Sequence, residues 1–434
     1  MSQPARSTRL TVAMIVRDAA DLLRESLESI RTIADEIVIT DTGSSDTTLD
    51  VAKSFGATVV ECEWKDDFSA ARNHCLSHVK GDWVLWLDAG DRLSPENAAR
   101  LRQQIDGAPT MATAYVMFVE IPTKGSHAAE RIAQIRLAPH HPLIRFDGRV
   151  RESMIDSLTT AQVGIEPLDV CIRRDACEHQ LSVKTTKARR NIRLAEAAIR
   201  ETAMKPELLN CLGDAFQTLE DHDRAIQFFR HALQTSQPGS LEMLEAYYGI
   251  VTSLEGKPEQ RDEQLATCMR ALEAFPMDAQ LLCAMGGYLQ AQGQTELAMK
   301  AYRTTCEHGQ VNPGVWHVSN IHEIATVCCS LTLQLLGRSE EAIQVLVDAA
   351  AFDPNSLRIR RHLLEVYIKT GQRDLALKLL DQFPKDTPNR EALRSAVRGA
   401  CLAAANNWIP AKAYLKTAYN AGSHRSRQWI DEWG

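Results

Sequence analysis

Three short segments carry residue types that could perform group transfer. Residues 41–46 read Asp41-Thr42-Gly43-Ser44-Ser45-Asp46 and lead straight into a helix-like pattern. Gly43 permits a sharp turn, and Ser45 or Asp46 suits a helix cap. The Asp41 carboxylate either accepts hydrogen bonds from a base or ribose, or shapes the turn itself. Residues 66–73 read Asp66-Asp67-Phe68-Ser69-Ala70-Ala71-Arg72-Asn73. Asp67 can cap a helix, and Arg72 then falls on its second turn, where its planar fork suits a pyrophosphate or simply a surface ion pair. In the third segment the apolar run Trp83–Leu87 closes on Asp88-Ala89-Gly90-Asp91. Carboxylates at the end of a buried strand suit a hard divalent cation, which takes oxygen ligands and bridges a diphosphate. Trp83 and Trp86 read as core residues facing one way.

These segments need a scaffold, and the flanking pattern predicts one. Leu10–Val16 is an apolar run of strand length, and Asp18 can cap a helix reaching about Ile33. Glu36–Thr40 reads as a second strand, Thr47–Phe55 as a helix stopped by Gly56, and Thr58–Glu61 as a third strand. A helix near Ser69–Val79, the strand Trp83–Leu87 and a helix opened by Ser94-Pro95 follow. Strands and helices alternating at this spacing predict a mostly parallel, doubly wound sheet. Ligands of such sheets bind beyond the carboxyl ends of the strands, which selects Val16–Asp18, Asp41–Asp46 and Asp88–Asp91.

From about Pro206 the pattern becomes purely helical with a period near 34 residues. Small residues recur at fixed offsets: Gly213, Ala225 and Ala232, then Gly286 and Ala298, then Ala342 and Ala349, then Gly371 and Ala376, then Gly399, Ala411 and Ala418. Phe216, Phe229, Tyr302, Leu346, Tyr367 and Leu380 sit between them. The unit at 240–278 is longer and degenerate. This resembles the tetratricopeptide repeat, with about six units over 206–425, a tail at 426–434, and a helix over 181–205 joining the halves. Lys184, Lys187, Arg190 and Arg193 line one face of that helix, either solvated or touching phosphate at the cleft edge.

Composition excludes several classes. The chain has 434 residues, 44% of them apolar, and a formal charge of −7, ordinary for a folded soluble protein. Residues 1–180 hold 20 basic and 27 acidic side chains, and the remainder is neutral. An acidic front half argues against nucleic-acid binding, which needs a basic face. Eleven cysteines without a CxxC fit reduced thiols and a cytoplasmic protein. The first apolar run is too short for a signal-peptide core, and no run approaches a membrane span.

Taken in order, IVRD at 15–18, IVITDTGSSDTT at 37–48, DDFSAARN at 66–73 and GDWVLWLDAGDRL at 81–93 resemble the family-two-type inverting glycosyltransferases of GT-A fold. The resemblance is to the branch that carries tetratricopeptide repeats after the catalytic domain. FDGRVRES at 146–153 resembles that branch's Gly-Arg-Val-His-Glu element, and CEHQ at 177–180 its late His-containing strand. The resemblance implies an α/β GT-A domain over 1–180 followed by an all-α repeat solenoid. It implies a nucleotide-sugar donor, commonly uridine-linked, held by Val16, Asp18, Asp41, Arg72, Asp88 and Arg151. Glu152 matches the general base. Asp88, Asp91 and His179 match a site for Mn2+ or Mg2+, and the repeats imply a protein or peptide acceptor. Two positions depart from the family pattern: Gly90 stands where a second Asp is usual, and Arg151 where a His is usual. They leave open a scaffold that binds nucleotide without turnover.

Overall fold

A computed structural model of the chain describes residues 8–107, 112–123, 129–255, 258–383, 390–403 and 407–420. The expected tail at 426–434 lies outside the described residues. The α/β region runs β1 Leu10–Val16, α1 Ala20–Ile30, β2 Glu36–Asp41, α2 Thr48–Ser54, β3 Thr58–Glu61, α3 Phe68–Leu76 and β4 Trp83–Trp86. It continues with β5 Arg92–Leu93, α4 Pro95–Gly107, β6 Thr113–Pro122, β7 Ala129–Pro139, α5 Ile155–Thr160 and β8 Gly164–Arg173. A single 3-10 turn, Ala176–His179, leads into α6, Leu181–Glu201.

The sheet order is β3-β2-β1-β4-β7-β6-β8-β5. Strands β1 to β4 are parallel, but β4 pairs antiparallel with β7, and β6 antiparallel with β7. The sheet is therefore mixed rather than mostly parallel. The βα alternation that suggested parallel strands stops at α4, and the long β6–β7 pair needs no crossover helix. Each face of the sheet carries its own core. Leu10, Val12, Met14, Trp83 and Leu85 pack with Leu23, Leu27 and Leu101 on one side. Ala13, Val38, Val84 and Trp86 pack with Cys75, Phe146 and Leu158 on the other. Trp83 and Trp86 are both core residues, yet they face opposite ways, because residues three apart on a strand alternate sides.

The repeats begin with α7 Pro206–Thr218, α8 His222–Thr235, α9 Leu241–Ser253 and α10 Arg261–Ala274. They continue with α11 Ala279–Ala291, α12 Thr295–His308, α13 Ile321–Leu335, α14 Ser339–Phe352, α15 Leu357–Lys369, α16 Arg373–Asp381, α17 Arg390–Ala403 and α18 Trp408–Asn420. The small-residue positions have a direct physical reason. A Cβ on Gly213 would lie 2.5 Å from the Phe229 ring, one on Gly286 2.7 Å from Tyr302, and one on Gly399 2.7 Å from Leu415. In each case the large residue follows the glycine by the same interval and fills the space left by the absent side chain.

The chain forms two compact units, Met1–Pro276 with Val311–Ser319, and Met277–Gln310 with Asn320–Gly434. The first thus contains the sheet, α6 and helices α7 to α10. Within it, α6 and α7 bury Leu194, Leu209 and Leu212 with Phe229 and Val150, against Trp64 and Phe68. The segment 311–319 adds β9, His317–Val318, antiparallel to β7. The second unit buries Leu346, Leu363, Tyr367, Leu380, Val397 and Leu415 in its own core.

Candidate active site

The parallel strands β1 and β2 end side by side, Val16 opposite Asp41. Their following turns are tied into one lip. Asp41 accepts hydrogen bonds from the amides of Gly43 and Ser44, both 3.0 Å, and from the Ser44 hydroxyl at 2.5 Å. The Val16 carbonyl accepts from the amide and hydroxyl of Thr42. Asp18 does not cap α1 as expected. It adopts a left-handed conformation, φ 46°, and its carboxylate accepts from the Ser45 amide and hydroxyl. Those bonds hold its pKa below the usual value. Asp46, in contrast, reaches both helix starts, accepting from Thr48 and Ala20. Asp41 is buried with both carboxylate oxygens engaged in its own turn, so its side chain shapes the lip, while its backbone lies beside Val16.

A denser cluster closes the end of β4. Asp67 caps α3 by accepting from the Ala70 amide, as its position in the sequence suggests. This fixes Arg72, whose guanidinium is buried against the rings of Trp86 and Phe146, 5.1 and 5.2 Å from their centroids. Arg72 bridges two carboxylates, donating to Glu152 at 2.7 Å and Asp88 at 3.2 Å. Arg136, from β7, donates to Asp88 at 3.2 Å. Arg174, just beyond β8, donates to Asp88 at 2.5 Å and to Asp91 at 2.7 and 3.0 Å. Asp91 is fully buried and also accepts the Asp88 amide. Burial works to raise the Asp88 pKa, but Arg136, Arg174 and Arg72 outweigh it and hold the carboxyl well below the usual range.

The loop carrying Glu152 is pinned to α3. The Asn73 side chain donates to the Phe146 carbonyl and accepts from its amide, and Phe68 donates to the Arg149 carbonyl. Asp147 and Ser153 pair across the loop, with Gly148 at φ 102° and Arg151 at φ 55° between them. This turn aims neighbouring residues apart. Glu152 enters the cluster, where its Oε2 accepts no hydrogen bond among the described residues. Arg151 points the other way, donating to Glu245 on α9 at 2.6 and 2.8 Å and to Asp214 on α7. It is therefore directed toward α7 and α9 and is not brought into the cluster with Arg72, Asp88 and Glu152.

Comparison with known proteins identifies the two parts of the chain. Residues 11–159 match the glycosyl transferase family 2 model, and residues 206–237 and 334–401 match tetratricopeptide repeat models. The chain carries a family 2 glycosyltransferase domain and tetratricopeptide repeats. A TPR repeat-containing protein of Synechococcus elongatus is 37% identical over 36% of this chain and 38% of its own length. The SPbeta prophage-derived glycosyltransferase SunS of Bacillus subtilis is 24% identical over 52% of this chain and 53% of its own length. The chain thus spans about half or less of the length of these relatives. A glucosyl-3-phosphoglycerate synthase of Mycobacterium tuberculosis, solved with Mn2+ and UDP, is 19% identical over 27% of this chain and 45% of that one, with a TM-score of 0.23. So low a score carries neither ligand over to this protein.

Within the glycosyltransferase domain the side chains do not fit a carboxylate-held cation. Asp88, Asp91 and His179 form no metal-ligating group, and none of three or more His, Cys, Asp or Glu exists among the described residues. The oxygens of Asp88 and Asp91 are taken by guanidiniums. His179 lies in the 3-10 turn with its Nε2 buried and unpartnered. Arg72, Asp88, Asp91 and Glu152 are thus brought together, while Val16, Asp18 and Asp41 form the adjoining lip. Arg136 and Arg174 were missed. Each carried a signal: Arg136 is a charge within a strand bounded by Ile135 and Leu137, and Arg174 doubles Arg173 just before the CEHQ segment. A charge buried in a central strand persists only if paired.

The basic face of α6 is mostly committed. Lys187 pairs with Glu178 and Arg193 with Asp66. Arg190 stacks on Phe68 and, among the described residues, hydrogen-bonds only to Asn191, and burial lowers its pKa while Glu152 opposes that. No helix among the described residues is long and apolar enough to cross a membrane.

Proposed function

We propose that this protein transfers a sugar from a uridine-linked diphosphate donor to an acceptor by a single displacement that inverts the anomeric centre. The observation that carries the reading is Arg72, which joins Glu152 and Asp88 at the carboxyl end of the sheet. That end is where an open α/β sheet binds ligands. The nucleoside lies along the lip of Val16, Asp18 and Asp41, with Asp88 facing the ribose and diphosphate. Glu152 Oε2 takes the acceptor's proton as the acceptor atom attacks the anomeric carbon. The bond from that carbon to the diphosphate oxygen breaks, and the nucleoside diphosphate leaves with the electron pair on the opposite side. Arg72 meets the charge that develops on it. The repeats bind the protein or peptide that bears the acceptor, as stacked helical hairpins suit extended segments, and the protein works in the cytoplasm.

The test is release of UDP from UDP-sugars by the purified chain. Glu152→Gln is expected to lower turnover by roughly 10²- to 10⁴-fold and to leave UDP affinity near that of the parent. Failure to bind UDP at millimolar ligand removes the reading. A scaffold without turnover, which Gly90 motivates, predicts UDP binding with no release above background.

A further inference from the structure

The site's arginines bear on how the leaving group's charge is met. Resting on the donor reading above, we propose that Arg72, Arg136 and Arg174 seat the donor diphosphate in place of a divalent cation. Three independent features carry this. First, guanidiniums from three separate elements, α3, β7 and the segment after β8, converge on the single carboxylate of Asp88. Two buried arginines, Arg72 and Arg136, and the partly exposed Arg174 already balance three carboxylates, Asp88, Asp91 and Glu152, in charge. A cation added at Asp88 would face three fixed positive groups within ion-pair distance of the same oxygens.

Second, Gly90 does more than omit a carboxylate. It sits at φ 99°, a conformation that L side chains rarely adopt. A Cβ there would lie 3.4 Å from the Asp175 side chain and 3.6 Å from Leu22. The turn is locked on both sides, since the Gly90 amide donates to the Ser26 hydroxyl and its carbonyl accepts the Asp175 amide. The contacts are ordinary ones, but the positive φ would strain an aspartate at this position, so the backbone favours the glycine.

Third, Asp91, the remaining acidic residue of the element, is fully buried beneath Arg174 and anchors it by two hydrogen bonds. Asp91 thus orients a cation-bearing side chain. Asp88 is the more exposed carboxylate, its side chain about one-third accessible against none for Asp91. It occupies the guanidiniums until the diphosphate arrives, and arginine suits that exchange because its fork accepts carboxylate and phosphate in the same geometry. Arg190, which forms no ion pair among the described residues, adds one positive charge within electrostatic reach of Glu152.

Calorimetric titration of the full chain with UDP and with uridine, in EDTA and in excess Mn2+, tests this. UDP is expected to bind with the same Kd in both buffers to within about twofold. Arg136→Gln and Arg174→Gln should each weaken UDP by roughly 10- to 100-fold, the loss of one charge-assisted hydrogen bond, and leave uridine unchanged. Arg174→Lys, which keeps the charge but not the fork, should fall between parent and glutamine variant and guards against misfolding of the latter. UDP binding that requires Mn2+ overturns the arginine seat and leaves the donor reading standing. Parent-like UDP affinity in both glutamine variants does the same. Absence of UDP binding in either buffer removes the donor reading, and the seat with it.

Discussion

Arg151 separates two roles that its place beside Glu152 makes easy to confuse. Arg151→Ala removes two hydrogen bonds to Glu245 and one to Asp214. Breaking a buried ion pair costs about 3–5 kcal/mol and an exposed one well under 1 kcal/mol. The side chains of Arg151, Glu245 and Asp214 are 29%, 23% and 46% exposed, so the loss should be about 1–3 kcal/mol. Arg151→Gly loses the same bonds but relieves the left-handed backbone, and should be roughly 1 kcal/mol less destabilised than the alanine variant. A guanidinium that held the donor would, on removal, raise the donor KM. A residue that only positions the loop should leave KM within about twofold, while turnover falls roughly 10- to 100-fold as Glu152 loses its aim. Thermal denaturation of the three proteins and UDP release over a range of UDP-sugar concentrations supply both readouts. A raised KM with unchanged turnover, or equal stability of all three proteins, would refute the positioning role.

Other perturbations have outcomes fixed by the same geometry. A Cβ on Gly249 would come within 2.3 Å of the fully buried Phe229 ring. Gly249→Ala should therefore cost about 2 kcal/mol, overpacking less the gain in helix propensity. Adding Phe229→Leu should recover most of it in a double-mutant cycle read by hydrogen exchange of α7 to α9. Asp41→Ala deletes three hydrogen bonds that shape the lip. It should lower stability by about 2 kcal/mol and weaken uridine along with UDP, which titration of both ligands checks. Partial desolvation raises the Asp214 carboxyl to about 7 even though its side chain is 46% exposed, with Glu245 adding to the shift and Arg151 opposing it. A folded pKa above the unfolded value of about 4 makes this contribution greatest below pH 4 and lost as pH rises to about 7. Asp214→Asn should lack that component, so the stability difference between parent and variant should change between about pH 4 and pH 7 and stay level above.

What the linear order of residues settled was local. The apolar runs of β1, β2 and β4 located the strands, and their ends located the lip and the carboxylates, because a buried parallel strand must be apolar and must finish where the sheet opens. The cap at Asp67 and the glycines paired with Phe229, Tyr302 and Leu415 were legible because helix starts and repeat packing depend on fixed short intervals. The antiparallel turn taken by the sheet after β4 was not legible, since strand direction depends on how the connection folds rather than on the strand's composition. The same holds for the direction of each charge. Arg151 and Glu152 are adjacent, yet one left-handed residue sends one toward α7 and α9 and the other into the cluster. Arg136 and Arg174 lie 48 and 86 residues from Asp88 along the chain. Only tertiary packing, by bringing three arginines from separate elements onto the same carboxylates, decided that guanidiniums engage Asp88 and Asp91.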